Sequence, residues 1–291
     1  MNENQKAYTP SVDSQKIRSN EDSIEWIEST HPDRVNGVAL VIHGLNFQPG
    51  KMESIIALLT HSCTDVLNLS LRGHGKNYDQ KANLDDNKAR MATFKAISYE
   101  YWIKETHRAY DLARRRSREK QVPLFLIGFS LGGLMGATLF ASYPDVYFSR
   151  MVLLAPALHI YKIYYLAKSL SPFPRLVIPS FFIKSYCSNR GTPVAAYNAL
   201  FEAIEHLNKN MAQKLNVPAL IIIDKQDELV SYRRLKRIIK NGGLDQWKLH
   251  PVKKNTATAK EKMHHLIIDE SSLGKDAWNK MRGLIIHHLL A

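Results

Sequence analysis

Cysteine is nearly absent from this 291-residue chain, and its two thiols, Cys63 and Cys187, can build neither a disulfide framework nor a thiol zinc cluster. They read as buried reduced thiols, which suits a reducing compartment. Long apolar runs are lacking too. No stretch approaches the roughly 18 uninterrupted apolar residues that a membrane-spanning helix needs. The opening MNENQKAYTP has neither the charged nor the apolar region of a secretory signal, so the expectation is a cytoplasmic protein with at most peripheral membrane contact. The twelve histidines show no HExxH or comparable spacing. Neither GxxxxGK[ST] nor GxGxxG occurs, so no metal or other cofactor is expected. Acidic side chains are scarce: 27 Asp and Glu face 40 Lys and Arg, leaving +13. That excess favours acidic ligands, anionic membrane surfaces or nucleic acid without choosing among them.

What is present is the composition of an ordinary globular protein, 45% hydrophobic and 23% charged, which excludes disordered, collagenous and coiled-coil classes. Residues 1–22 are polar and aperiodic and read as a loose arm. After a first strand near Ser23 to Glu28, strands and helices alternate. Val38 to Ile42 is a continuous apolar run that ends in His43-Gly44, as expected of a parallel strand buried on both faces. Met52 to Ser62 has helical spacing, Val66 to Leu71 is a short strand, and Ile97 to Glu119 is a long amphipathic helix. Leu124 to Ile127, Met151 to Leu154 and Ala219 to Ile223 are further buried strands. Trp247 to Leu249 is a weaker strand, and a helix over Ala277 to Leu290 closes the chain. The pattern predicts an open, mostly parallel α/β sheet flanked by helices. It breaks once, over 156–215, where Tyr161, Tyr164, Tyr165, Phe173, Phe181, Phe182 and Tyr186 gather among prolines. We read 23–155 and 216–291 as the core and 156–215 as an inserted helical cap with its aromatics facing the mouth.

The chemical signal is Gly128-Phe129-Ser130-Leu131-Gly132 between a buried strand and a helix, the context of a nucleophile elbow. Such a tight turn lifts the Ser130 hydroxyl out at the carboxyl end of the sheet, beside a helix N-terminus that favours negative charge. A serine hydroxyl attacks only if a base takes its proton, so a histidine and a carboxylate should follow. Asp227 lies in the loop after Ala219–Ile223, and the pair His264-His265 lies ahead of the closing helix. Adjacent residues of an extended segment face opposite ways, so one ring of the pair should meet Ser130. The amides of Leu45 and Leu131 are the candidate oxyanion donors. His43 and His74 are expected to brace loops. The basic runs Arg114 to Arg118 and Arg233 to Arg237 read first as solvated helix faces, with docking on an anionic lipid surface as the alternative.

Taken together, His43-Gly44-Leu45, Arg72-Gly73-His74-Gly75, Gly128 to Gly133, Asp227 before Leu229-Val230, and His264 five residues ahead of Asp269 resemble the serine α/β hydrolase superfamily. Within it the chain resembles the monoacylglycerol lipase and lysophospholipase branch, although Phe129 and Asp224 depart from that branch's pattern. The resemblance implies an α/β-hydrolase fold with the cap inserted after the strand that follows the elbow helix. It also implies His264 as base and Asp227, rather than Asp224, as acid. The function expected is hydrolysis of a small-molecule carboxylic ester with an apolar acyl chain through an acyl-enzyme on Ser130. Thioester or amide hydrolysis and a noncatalytic binding protein are the alternatives, and no nucleic-acid partner is expected.

Overall fold

The computed structural model describes residues 23–161, 168–180, 184–211 and 213–291. The arm expected over 1–22 and the aromatics Tyr164, Tyr165, Phe181 and Phe182 lie outside the described residues. Nine strands are described: β1 (Ile24–Ile27), β2 (Gly37–Ile42), β3 (Thr64–Leu69), β4 (Leu124–Phe129), β5 (Arg150–Leu154), β6 (Val177–Pro179), β7 (Gly191–Pro193), β8 (Ala219–Asp224) and β9 (Trp247–Val252). Seven of them form one sheet in the order β1-β3-β2-β4-β5-β8-β9, while β6 and β7 pair separately. Only β1 runs antiparallel within the large sheet. The order follows from burial. Every residue of β2, β3, β4 and β8 is buried, which suits interior parallel strands covered on both faces. In contrast, β1 and β9 are partly exposed along their length. β9 carries Pro251, which cannot donate to a ladder and is tolerated at an edge.

The helices are α1 (Glu53–His61), α2 (Asp86–Phe94), α3 (Tyr99–Lys120), α4 (Leu131–Ser142), α5 (Val194–Lys209), α6 (Tyr232–Asn241), α7 (Glu270–Leu273) and α8 (Lys275–Leu290). α3, α4 and α5 pack on one another, with α3 and α4 seated on β2 and β4. Periodicity did not announce α2, because its sequence DNKARMATF is mostly polar. Its first turn is held by Asp85, whose carboxylate accepts the Lys88 N–H at 3.0 Å. Within 156–215 the described residues include the β6–β7 hairpin and α5, and α5 lies against α3 and α4 rather than standing apart from the core. Among the described residues no helix is long and apolar enough to cross a membrane.

From β2 the chain goes to β3 on one side and then to β4 on the other. The loops after β2 and β4 therefore part at their carboxyl ends, the place where open α/β sheets bind ligands. Two glycines let α4 start there. An ideal Cβ on Gly132 would lie 2.0 Å from the Ile42 carbonyl oxygen, and one on Gly128 would lie 2.6 Å from the Gly133 backbone.

The loop after β2 is braced from beneath by two buried histidines whose rings are 4.7 Å apart. His43 Nδ1–H donates to the Gly44 carbonyl at 2.8 Å while Nε2 accepts the Leu71 N–H at 3.0 Å. His74 Nε2 accepts the Asn46 N–H at 2.9 Å, and its Nδ1–H lies 3.1 Å from the Leu71 carbonyl. Each ring must be neutral to accept, and burial drives His43 down from 6.5 to about 4 and His74 well below its usual value. Beside them Glu105 accepts the Arg72 N–H at 2.8 Å and the Asn77 Nδ2–H at 2.9 Å, and burial raises its carboxyl from 4.5 to about 7.

Two predictions follow from this packing. Gly132→Ala should lower unfolding stability by at least about 2 kcal/mol in urea titrations, because the clash is with backbone that cannot move aside. For His43, as pH falls from 6.5 to 4 the unfolded chain takes up a proton that the native ring refuses, so stability is lost. Glu105 acts in reverse: between 7 and 4.5 the native carboxyl holds a proton that the unfolded chain releases, so stability is gained as pH falls. Each effect amounts to about 3 kcal/mol at the printed shifts. Wild-type protein should show these two largely offset, Glu105→Gln should lose stability steeply on acidification, and His43→Gln should instead gain it. Urea midpoints at about pH 7 and 4.5 read the difference between variants.

Candidate active site

Ser130 joins β4 to α4 with φ 51° and ψ −111°. This conformation is costly for a residue with a side chain and persists only where its surroundings hold it. Here its N–H donates to the Leu154 carbonyl at 2.9 Å, and its own carbonyl accepts the Ala157 N–H at 3.0 Å. The side chain is thereby turned to the carboxyl end of the sheet, where the residue is 8% exposed.

The loop after β8 brings a carboxylate to His265. Asp227 Oδ1 accepts the N–H groups of Leu229 at 2.8 Å and Val230 at 2.7 Å, which fixes the carboxylate plane. Its Oδ2 accepts His265 Nδ1–H at 2.8 Å, and His265 Nε2 accepts the Ser130 hydroxyl at 2.9 Å. The acid and the imidazole are both almost wholly buried, so water does not compete for either bond.

The ring that meets Ser130 is therefore His265, which corrects the sequence expectation of His264. Alternation along the segment holds, since one ring turns inward and the other outward, but the assignment by spacing to Asp269 fails. Asp269 is the N-cap of α7, accepting the Ser272 N–H at 2.6 Å and the Tyr186 hydroxyl at 2.9 Å. Its distance from the histidines reflects helix capping. His264 Nδ1 pairs instead with Asp224 Oδ2 at 3.0 Å, and that carboxylate also accepts the Lys254 N–H at 2.9 Å. One residue that the sequence reading missed is Glu228. Its two carboxylate oxygens accept the N–H groups of His264 and His265 at 2.9 and 3.1 Å, clamping the segment that carries the base. Its position directly after Asp227 was the available signal.

The two candidate oxyanion donors lie on the elements that meet here, Leu45 in the loop after β2 and Leu131 next to Ser130. Leu131 opens α4, where a helix's first N–H groups lack intrahelical acceptors. Leu45 shares a peptide unit with the Gly44 carbonyl, which accepts from His43 Nδ1 at 2.8 Å and from the Phe47 N–H at 3.2 Å. In a trans peptide the N–H points opposite to the C=O, so a carbonyl pinned toward His43 turns the Leu45 N–H away from it. Gly44 stands close enough that a Cβ would be 3.3 Å from Ser130 Cβ.

A cavity of about 410 Å³ opens over Ser130 and His265, walled by Leu45, Phe129, Ile160, Leu200, Val230 and Met263 among others. Its far wall is α5, through Tyr197 and Leu200. Of the aromatics expected to face the mouth, the three described ones are absent from this lining: Phe173 is 65% exposed, Tyr161 38%, and Tyr186 packs against Phe47. Among the described residues no group of three or more His, Cys, Asp or Glu could hold a metal.

Comparison with known proteins agrees with this architecture. The Hydrolase_4 family, described as serine aminopeptidase, S33, matches residues 33–186, more than half of the chain. No curated protein is close enough in sequence to match. Among solved structures, a soluble variant of monoglyceride lipase from Saccharomyces cerevisiae in complex with a substrate analogue superposes with a TM-score of 0.71 at 13% identity, covering 91% of this chain and 89% of that one. A structure from work on the metagenome-derived lipolytic enzymes LipS and LipT gives 0.67 at 18%, covering 92% and 96%. The monoacylglycerol lipase of Paleococcus ferrophilus gives 0.64 at 17%, covering 91% and 98%. At such identities the likeness is one of fold. The family match, on a sheet with a strained serine between β4 and α4, identifies the chain as a member of the Hydrolase_4 (S33) family of α/β-hydrolase fold.

Proposed function

We propose that the protein hydrolyses carboxylic esters with an apolar acyl chain through an acyl-enzyme on Ser130. The observation that carries this reading is the unbroken relay from Asp227 through His265 to the Ser130 hydroxyl, at 2.8 and 2.9 Å. As the serine oxygen attacks the ester carbon, its proton passes to His265 Nε2. The imidazolium so formed is stabilised by Asp227, and the carbonyl oxygen gains negative charge between the amides of Leu45 and Leu131. Collapse of that intermediate transfers the proton from Nε2 to the departing alcohol. Water then repeats the sequence on the acyl-enzyme with His265 again as base, which frees the acid and restores Ser130.

The lining of the cavity supports an apolar acyl group, because Leu, Ile, Val, Met and Phe side chains desolvate hydrocarbon without leaving polar groups unpaired. It also argues against a peptide N-terminus as the preferred ligand, despite the family's description. A free ammonium needs a carboxylate, and none lines the cavity among the described residues. The relatives of this fold whose structures were solved as monoglyceride lipases point in the same direction.

Three outcomes test the reading. A serine-reactive phosphonate should label Ser130, as peptide mapping would show, and Ser130→Ala should abolish turnover with folding intact. His265→Ala should slow single-turnover acylation by something like 10⁴-fold, as in other serine triads, whereas His264→Ala should cost far less. A near-normal rate in His265→Ala would remove the proposed base. Across p-nitrophenyl esters, kcat/KM should rise by roughly 0.8 kcal/mol per added methylene until the cavity is filled. Equal rates on acetyl and octanoyl esters would sink the acyl-pocket assignment.

A further inference from the structure

A second, larger cavity of about 1360 Å³ adjoins the apolar one, and Ser180 lines both. Ser180 Oγ accepts a hydrogen bond from Asn46 Nδ2 at 3.3 Å, so the two spaces meet beside the loop that carries the Leu45 amide. The larger space differs in character. Its lining includes Lys76, Lys88, Arg90, Lys95, Lys184 and Arg190, and its one carboxylate is Asp85. Asp85 is already engaged, capping α2 and pairing with Lys88 Nζ at 3.2 Å. Among the described residues the other five cations pair with no carboxylate.

Lys76, Lys88, Lys184 and Arg190 are exposed, whereas Arg90 is half-buried and held in place. Its Nε donates to the Ser188 carbonyl at 3.0 Å and its Nη2 to Asn87 Oδ1 at 2.7 Å, with the guanidinium 5.8 Å from the centre of the Tyr78 ring. Every one of these partners is neutral, so the guanidinium is oriented while its charge stays uncompensated. Gathering like charges in a concave site costs self-repulsion, which a bound anion relieves. Arg and Lys together are the donors that phosphate oxygens suit best. The apolar cavity has no such group, so an ester lying across Ser130 would have a hydrocarbon side and a charged side.

We infer that the basic cleft is a phosphate subsite, and that the substrate is an amphiphilic ester whose acyl chain fills the apolar cavity while its alcohol portion carries a phosphate past Ser180. The substrate assignment rests on the esterase reading; the subsite itself does not. It is separable by binding, with ether analogues that cannot be hydrolysed.

The test compares 1-O-octylglycerol 3-phosphate with 1-O-octylglycerol by calorimetry on the whole chain, at monomeric ligand concentrations. At about 20 mM salt the phosphate should bind about tenfold or more tightly than the neutral ether, and the advantage should shrink at about 0.5 M salt. Lys184→Glu combined with Arg190→Glu, both at exposed positions, should collapse the ratio. Equal affinities for the two ethers in wild-type protein, or an undiminished ratio in the double variant, overturn the inference. So does inorganic phosphate binding as tightly as the phosphate ether, which would make the cleft a free-anion site. Binding to phosphatidylglycerol vesicles without discrimination between the ethers would make it a membrane-docking surface, again overturning it. A matched pair of octanoyl esters completes the experiment. Turnover of neither, with the ether preference intact, defeats the esterase reading and supports the phosphate subsite.

Discussion

The Ile42 carbonyl oxygen at the end of β2 occupies the place that a side chain on Gly132 would need. This contact seats the first turn of α4 directly on the backbone of β2, and the rest of the site depends on it. It brings the start of α4 beside the loop after β2, next to the strained turn at Ser130. A helix started even one side chain's width away would move the Ser130 hydroxyl out of reach of His265. The constraint is met by backbone alone, so the site's geometry is set by the sheet before any functional side chain is considered.

Most of the interior sheet was legible because β2, β4, β5 and β8 are almost wholly apolar, and the turn at Ser130 because three glycines lie around it in a strand-to-helix context. The carboxylate that meets His265 was legible as well, since Asp227 lies in the loop just past β8. What did not show was decided by contacts between segments distant in sequence. The choice between His264 and His265 depends on Asp224, Asp227 and Glu228, about forty residues earlier in the chain, and nothing within the pair marks which ring turns inward. α2 was hidden because it is held by a cap and three buried residues rather than by an apolar stripe. The cavity's far wall was missed for a related reason: Tyr197 and Leu200 belong to a helix whose apolar face reads as ordinary packing against α3 and α4.

Charge also reads differently in space. The surplus of +13 suggested only a general affinity for anions. In the fold, part of that surplus is drawn from three segments distant in sequence into one concavity next to the hydroxyl, while the arginines of α3 are partly neutralised. Arg116 pairs with Glu28 and Asp65 at 2.9 Å each, and Arg114 pairs with Asp145 at 2.8 Å. The cleft stands out because such partners are lacking there among the described residues.

The stretch Tyr186 to Asn189 is stitched along the loop after β2. Gln48 N–H donates to the Tyr186 carbonyl at 2.8 Å, Ser188 N–H to the Asn46 carbonyl at 3.0 Å, and the Asn46 side chain accepts the Asn189 backbone N–H at 3.0 Å and donates to the Asn189 carbonyl at 3.1 Å. Tyr186 extends the seam to Asp269, beyond the histidine segment. Floor and wall are thus tied together: a shift of the wall beside the cations would strain these bonds to the loop that carries Leu45.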